Sequence, residues 1–147
     1  MAYRPFKQGI YKPVNSKKYV GVASPKYRSS YELKFFTWCD NNPNVLKWGS
    51  ETISIPYMSP IDKRIHHYFP DNIVQIKEGE KITNYIIEIK PSKQIIPPEQ
   101  SKRKSQKRML FEQVQYAINS AKWIAAKQWC EKTGFKFLLI TESELKI

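Results

Sequence analysis

Two carboxylates and a lysine stand at a spacing that chemistry can use. Asp71 follows Pro70, and the run Glu88-Ile89-Lys90 comes seventeen residues after it. Side chains alternate faces along a strand, so Glu88 and Lys90 project together if that run is extended. A hairpin joining the two segments would set Asp71 beside Glu88. Like charges so placed repel, and a hard divalent cation between them removes the repulsion. Mg²⁺ takes one or two carboxylates plus water and phosphate oxygens, so Mg²⁺, or Mn²⁺ in its place, is the expected ion. Such an ion polarises a phosphoryl oxygen and acidifies a bound water. Lys90 would orient or deprotonate that water, or offset charge developing on phosphorus. The chemistry implied is metal-assisted hydrolysis of a phosphodiester.

Composition fits that chemistry. The 147 residues carry 25 Lys and Arg against 13 Asp and Glu, a net charge of +12. A domain this basic meets a polyanion, and nucleic acid is the expected partner. An anionic membrane is the rival polyanion. No stretch reaches the roughly eighteen apolar residues of a span, and no basic amphipathic helix stands out, so no membrane partner is expected. Apolar residues make up 41% of the chain and aromatics 14%, enough for one core. Cys39, Cys130, His66 and His67 are too few and too poorly spaced for a zinc module. The adjacent histidines point to opposite faces of a strand and do not share an ion. The cysteines are expected as buried thiols in a reducing compartment.

Secondary structure must carry those side chains into one place. Residues 1–28 hold seven basic residues and no acid, interrupted by Pro and Gly. They read as an extended basic arm along phosphates rather than a packed unit, with the folded domain over 29–147. Ser29-Ser30-Tyr31-Glu32 opens a helix with a Ser29/Glu32 capping box. Leu33, Phe36 and Cys39 form its apolar face, and Asn41-Asn42-Pro43 ends it. Strands are predicted over 51–57, 64–76 and 82–90, with a turn at 60–63 and a hairpin loop at 77–80. Ile86, Ile87 and Ile89 suit a central strand. A long helix is predicted from about Lys107, with Leu110, Val114, Ala117, Ile118, Ala121 and Ala125 on one face and Gly134 as its stop. Residues 135–140 read as a buried strand, and Thr141 to Glu144 as a capped final turn. Helix, three strands, helix, strand predicts an α/β domain. A central mixed β-sheet is flanked by helices, with one parallel pair joined by the long helix.

Pro70-Asp71 followed by Glu88-Ile89-Lys90, within this element order, resembles the PD-(D/E)xK nuclease superfamily. The stretches Tyr27-Arg28-Ser29-Ser30-Tyr31-Glu32, His67-Tyr68-Phe69-Pro70-Asp71 and Glu88-Ile89-Lys90-Pro91 are similar to the TnsA-type transposon endonucleases. So is the tail from Trp129-Cys130 through Gly134-Phe135 to Ile140-Thr141-Glu142. They are more similar still to the head-completion nucleases of large tailed bacteriophages. The resemblance implies a single restriction-endonuclease-like domain and a metal-dependent DNA nuclease with endonuclease and possible exonuclease action. It adds a helix-borne acid at Glu32. The implied catalytic set is Glu32, Asp71, Glu88 and Lys90, with Asp71, Glu88 and Glu32 as metal ligands. Several TnsA-type proteins carry Gln where this chain has Glu88, so one ion or two both stay open. The resemblance further implies trimming of packaged DNA during head completion and head–tail joining. Its partners would be portal or neck proteins, in the cytoplasm of an infected bacterial host or at the virion neck.

Further cations flank the motif. Lys93, Lys102, Arg103, Lys104, Lys107 and Arg108 are candidate phosphate contacts, as is His67, which shares strand parity with Asp71. Gln115, off the apolar face of the long helix, is a candidate hydrogen-bonding group for substrate or for a catalytic acid. Trp123 and Trp129 read as core. Two other functions compete. A non-enzymatic DNA-binding neck protein would have no reason to cluster acids near phosphates. A transposase or restriction-type subunit is the other; TnsA-type proteins usually carry a further C-terminal domain, and this sequence stops at Ile147.

Overall fold

The strand that carries Glu88 lies inside the sheet, as its run of apolar residues requires. The computed structural model describes residues 8–145. Its elements begin with β1 (Gly9–Ile10), β2 (Lys26–Tyr27), α1 (Ser30–Asn41), β3 (Val45–Ser50), β4 (Ile55–Met58) and β5 (Ile65–Tyr68). They continue with β6 (Asn72–Glu78), β7 (Lys81–Ile89), α2 (Gln106–Thr133), β8 (Lys136–Ile140) and α3 (Glu142–Leu145). The main sheet has the order β3-β6-β7-β8. β6 pairs antiparallel with β3 and β7, and β7 pairs parallel with β8 across the α2 crossover. This is the mixed sheet with one helix-linked parallel pair that the pattern predicts.

The two parities of β7 feed two cores. Ile87 and Ile89 pack with Val74 and Trp48 of the sheet and with Phe35, Phe36 and Cys39 of α1. Ile86 packs with Ile55, Tyr57 and Tyr68 of the β4–β5 hairpin and with Ala126 and Cys130 of α2. Full burial of a side chain such as Ile86 contributes about 1.5–3 kcal/mol. Glu88 and Lys90 follow Ile86 in parity, so they emerge on the α2 face. Both cysteines are buried free thiols. Local signals fix the helix ends. Ser29 Oγ accepts from Glu32 N at 3.2 Å and Ser105 Oγ from Arg108 N at 3.1 Å. Gly134 closes α2 at φ 84°, where its N–H donates to Cys130 O. Among the described residues no helix is long and apolar enough to cross a membrane.

Several expected elements differ. The strand predicted over 51–57 shrinks to β4, which pairs with β5 in a separate hairpin. Glu51, at φ 54°, bends the chain out of the sheet. The sheet edge is instead β3, whose pattern Gly49 obscures. The strand predicted over 64–76 is two strands, β5 and β6, broken at Phe69-Pro70-Asp71, where Pro70 has no N–H for a ladder. β8 is an edge strand with Leu138 43% exposed, not a buried one. The apolar face of α2 meets the core through Ile118, Ala121 and Ala125, while Leu110 is exposed in its first turns.

Residues 8–28 do not form the expected unpacked arm; residues 1–7 of it lie outside the described residues. Asp40, fully buried in α1, accepts from Tyr11 Oη at 2.6 Å, Val14 N at 2.7 Å and Asn15 N at 2.9 Å. Lys18 Nζ donates to the Cys39, Asp40 and Asn42 carbonyls at the C-terminus of α1. A cation there satisfies orphan carbonyls and complements the helix dipole. Tyr11 and Tyr19 lean on Trp48, with ring centroids 6.2 and 4.8 Å apart. Part of the basic segment is therefore a strap across α1 and β3.

Candidate active site

Strand register brings the two acids together. Asn72 pairs with Ile87, and one residue further Asp71 stands opposite Glu88. Backbone and side chain clamp them reciprocally. Asp71 N donates to Glu88 Oε1 at 2.8 Å, and Ile89 N donates to Asp71 Oδ2 at 3.0 Å. Each carboxylate commits one oxygen to the backbone and leaves the other for a ligand. Lys90, two residues along the same face, is fixed by its N–H donating to Ile140 O at 3.0 Å. Asp71, Glu88 and Lys90 open into a cleft of about 240 Å³, bordered also by His67, Tyr68 and Lys122.

The charges in this cleft are held under stress. Burial, then the neighbouring Asp71, pushes Glu88 up to about 7. Burial raises Asp71 too, with the Ile89 N–H and Lys90 opposing it. Glu32 is pushed up to about 7 by burial and then by Asp71. Lys122 of α2 is lowered by burial and by Lys90; its ammonium lies over the Tyr57 and Tyr68 rings at 5.9 and 5.6 Å. Acids raised and a lysine lowered within one cleft make it the candidate functional site.

The donor set suits Mg²⁺. Two carboxylate oxygens side by side, with no soft donor between them, match an ion that takes few protein ligands and keeps its waters. The Tyr68 hydroxyl, buried near Glu88 without reaching hydrogen-bonding geometry, is a further polar oxygen of the kind a hydrated cation satisfies. Glu32 does not complete a three-carboxylate group. α1 packs on the opposite face of the sheet from Glu88, and Glu32 Oε2 turns back toward Arg28 N at 3.5 Å. Among the described residues no three His, Cys, Asp or Glu side chains converge on one ion position. The charge on Asp71 helps to raise Glu32.

The expected phosphate contacts divide. Lys93 borders a second cavity that shares Lys90 and Lys122 with the cleft, and Gln115 lines the same cavity. Lys102, Arg103 and Lys107 are exposed. Lys104 is not a surface cation: its Nζ donates to Glu99 O at 2.8 Å and pairs with Glu112 at 3.1 Å, so it braces the loop before α2. Arg108 pairs with Glu112 at 3.2 Å. His67 borders the cleft, with Nδ1 3.1 Å from Ser54 Oγ. Trp123 is buried, and Trp129 sits edge-on to Phe135.

Sequence reasoning missed three participants. Lys122 continues the polar stripe Gln115, Asn119, Lys122, whose i, i+4, i+7 spacing signals one helix face. Glu51 N donates to Asp71 O at 3.1 Å, extending the β3–β6 ladder by one residue. The acids 51, 71 and 88 thus stand in a row across three strands. Arg28 forms a two-pronged pair with the Glu51 carboxylate and lies close enough to lower both Glu32 and Asp71. No local pattern announced Glu51, because its neighbour relation depends on the unpredicted β3.

Paired acids on adjacent strands, a lysine beside them and a helix-linked parallel pair are the arrangement a nuclease domain requires. The chain belongs to the TnsA-like endonuclease N-terminal family, whose model matches residues 42–142. Asp71, Glu88 and Lys90 lie inside the match and Glu32 outside it. Over 152 aligned positions the chain is 38% identical to the head completion nuclease of Enterobacteria phage T4, covering 99% of this chain and 95% of that protein. No solved structure matches the chain.

Proposed function

We propose that the protein is a Mg²⁺-dependent deoxyribonuclease acting in phage head completion, cutting the end of packaged DNA before tails join. The observation that carries the reading is the reciprocal Asp71–Glu88 clamp with Lys90 beside it. Membership in an endonuclease family supports the reaction class, and the name of the phage relative supports the setting. In this setting the partners beside DNA are portal or neck proteins, met in the infected host cytoplasm or at the virion neck.

Asp71 Oδ1 and Glu88 Oε2 would hold the ion, which supplies an acidified water and a polarised phosphate. The backbone bonds from Ile89 and Asp71 keep both carboxylates in place without reorganisation. Lys90 would orient the attacking water through its ammonium donors, the proton that water gives up passing to solvent. Lys122, entering from α2, offsets the negative charge that builds on the phosphate. The lysines also draw the anionic strand past the acids. Plasmid and linear DNA incubated with the purified protein test this reading. Cutting is expected with Mg²⁺ or Mn²⁺, with none in EDTA; Ca²⁺, which coordinates loosely, should bind without supporting turnover. Full activity in EDTA refutes the metal assignment.

A further inference from the structure

A cavity of about 470 Å³ continues from the acidic cleft and is larger than it. Lys90, Asn119 and Lys122 belong to both, so whatever leaves the cleft along these side chains enters this second space. Its size falls within the range of small-ligand pockets. Along α2 its lining runs from Lys122 and Asn119, which also border the acids, through Gln115 to Phe111. Lys93 adds a third cation to the lining. Gln115 and Asn119, with Gln94, present amides that both donate and accept. Phe111 lies one turn beyond Gln115 on α2, and Tyr116 and Ile96 add apolar surface. Phe111 is 64% exposed, although it lies on the helix that anchors one core. Glu112, the one acid in the lining, is neutralised by Lys104 and Arg108 on either side.

Cations first, then amides, then aromatic and aliphatic surface follow the order of a nucleotide: phosphate, then the base edge, then the base face. Aromatic platforms bind bases of any sequence through stacking, and amides meet their hydrogen-bonding edges. A base paired and stacked within a duplex cannot enter such a pocket. Building on the nuclease reading above, we propose that this cavity receives an unpaired base of the strand whose phosphate lies at Asp71 and Glu88. The preferred substrate is then DNA with a single-stranded or frayed end rather than intact duplex. Phe111 is the stacking platform and Gln115 and Asn119 contact the base edge.

The test is fluorescence anisotropy in EDTA, with a labelled duplex bearing a short single-stranded end and a blunt duplex of the same sequence. The protein is expected to bind the overhang more tightly than the blunt end. Phe111→Ala should lose about tenfold more affinity for the overhang than for the blunt duplex, as for one lost base–aromatic stack. Phe111→Trp should restore the preference. Circular dichroism checks that both variants fold. Equal binding of the two DNAs by the unaltered protein overturns the proposal. So does an equal loss on both DNAs in Phe111→Ala. Unchanged binding to both would overturn it as well. Because no turnover is involved, this result is independent of the nuclease reading. A protein that never cuts in Mg²⁺ sinks that reading alone, whereas loss of the overhang preference sinks the pocket alone.

Discussion

Replacing Glu88 with Gln should stabilise the metal-free protein at alkaline pH and leave it little changed in acid. The substitution keeps the oxygen that accepts from Asp71 N and removes the charge that burial and Asp71 oppose. Folding raises the Glu88 pKa from its ordinary 4.5 to about 7. A raised acid contributes stability below its unfolded value and loses it as pH rises through the folded one. At pH 8 the ionised side chain therefore costs about 3 kcal/mol in the folded state, and at pH 5 about 1 kcal/mol or less. Coupling to Asp71 shares that cost between the two acids. Glu88→Gln should thus gain roughly 1–3 kcal/mol at pH 8, a rise in Tm on the order of 3–10 °C for a domain of this size. Thermal unfolding in EDTA at pH 5 and pH 8 measures it. Added Mg²⁺ at pH 8 should raise the Tm of the unaltered protein and not that of the variant, since only a ligand that binds the folded state stabilises it. A pH-independent difference, or a variant less stable at pH 8, refutes the argument that Glu88 is held charged against its surroundings.

Other consequences concern single side chains. Lys122→Met should keep the α2 packing through its alkyl stem and slow single-turnover cleavage at least ~10-fold, because a cation facing the phosphate is lost. Asp40→Ala should cost about 2–4 kcal/mol in urea unfolding, since Tyr11, Val14 and Asn15 lose a buried acceptor, and proteolysis should then release the strap. Burial opposes the Asp40 charge, but those bonds win and hold its pKa below the ordinary value. Its contribution is therefore present above that ordinary value and fades as pH falls below about 4. Lys18→Met should lower stability by about 1–2 kcal/mol without changing the salt dependence of DNA binding, because Lys18 caps α1. Lys93→Ala should leave stability unchanged and make the log–log salt slope shallower by about 1.

What the sequence revealed and what it hid follow from the range of each signal. Strand parity placed Glu88 and Lys90 on one face, and hairpin register set Asp71 beside Glu88, because both depend on local periodicity. The caps at Ser29 and Gly134 were equally local. β3 was not legible: Gly49 interrupts its pattern, and its partner β6 lies over twenty residues on. Missing β3 also hid Glu51 and its tie to Arg28. The break between β5 and β6 was visible as Pro70, yet the apolar run on either side favoured one strand. Charge counting misread Lys18 and Lys104. Their ammonium groups serve Cys39 and Asn42 carbonyls in one case and Glu112 in the other, and those contacts come from tertiary packing alone. The reach of Lys122 into the cleft depends on how α2 crosses the sheet, which helical periodicity does not specify.

Single-turnover cleavage of end-labelled DNA by Asp71→Asn and Lys90→Ala tests the central claim most directly. Both substitutions leave Ile86, Ile87 and Ile89 in the two cores, so far-ultraviolet circular dichroism should stay close to that of the unaltered protein. The DNA affinity of Asp71→Asn should stay close as well, while Lys90→Ala, which loses one phosphate-facing cation, should still bind DNA. Each variant should lose cleavage in Mg²⁺ by at least ~10²-fold, the scale of one lost metal-holding, acid–base or electrostatic group. Folded variants that bind DNA and cut it at the original rate would contradict the assignment of this cleft as the catalytic centre.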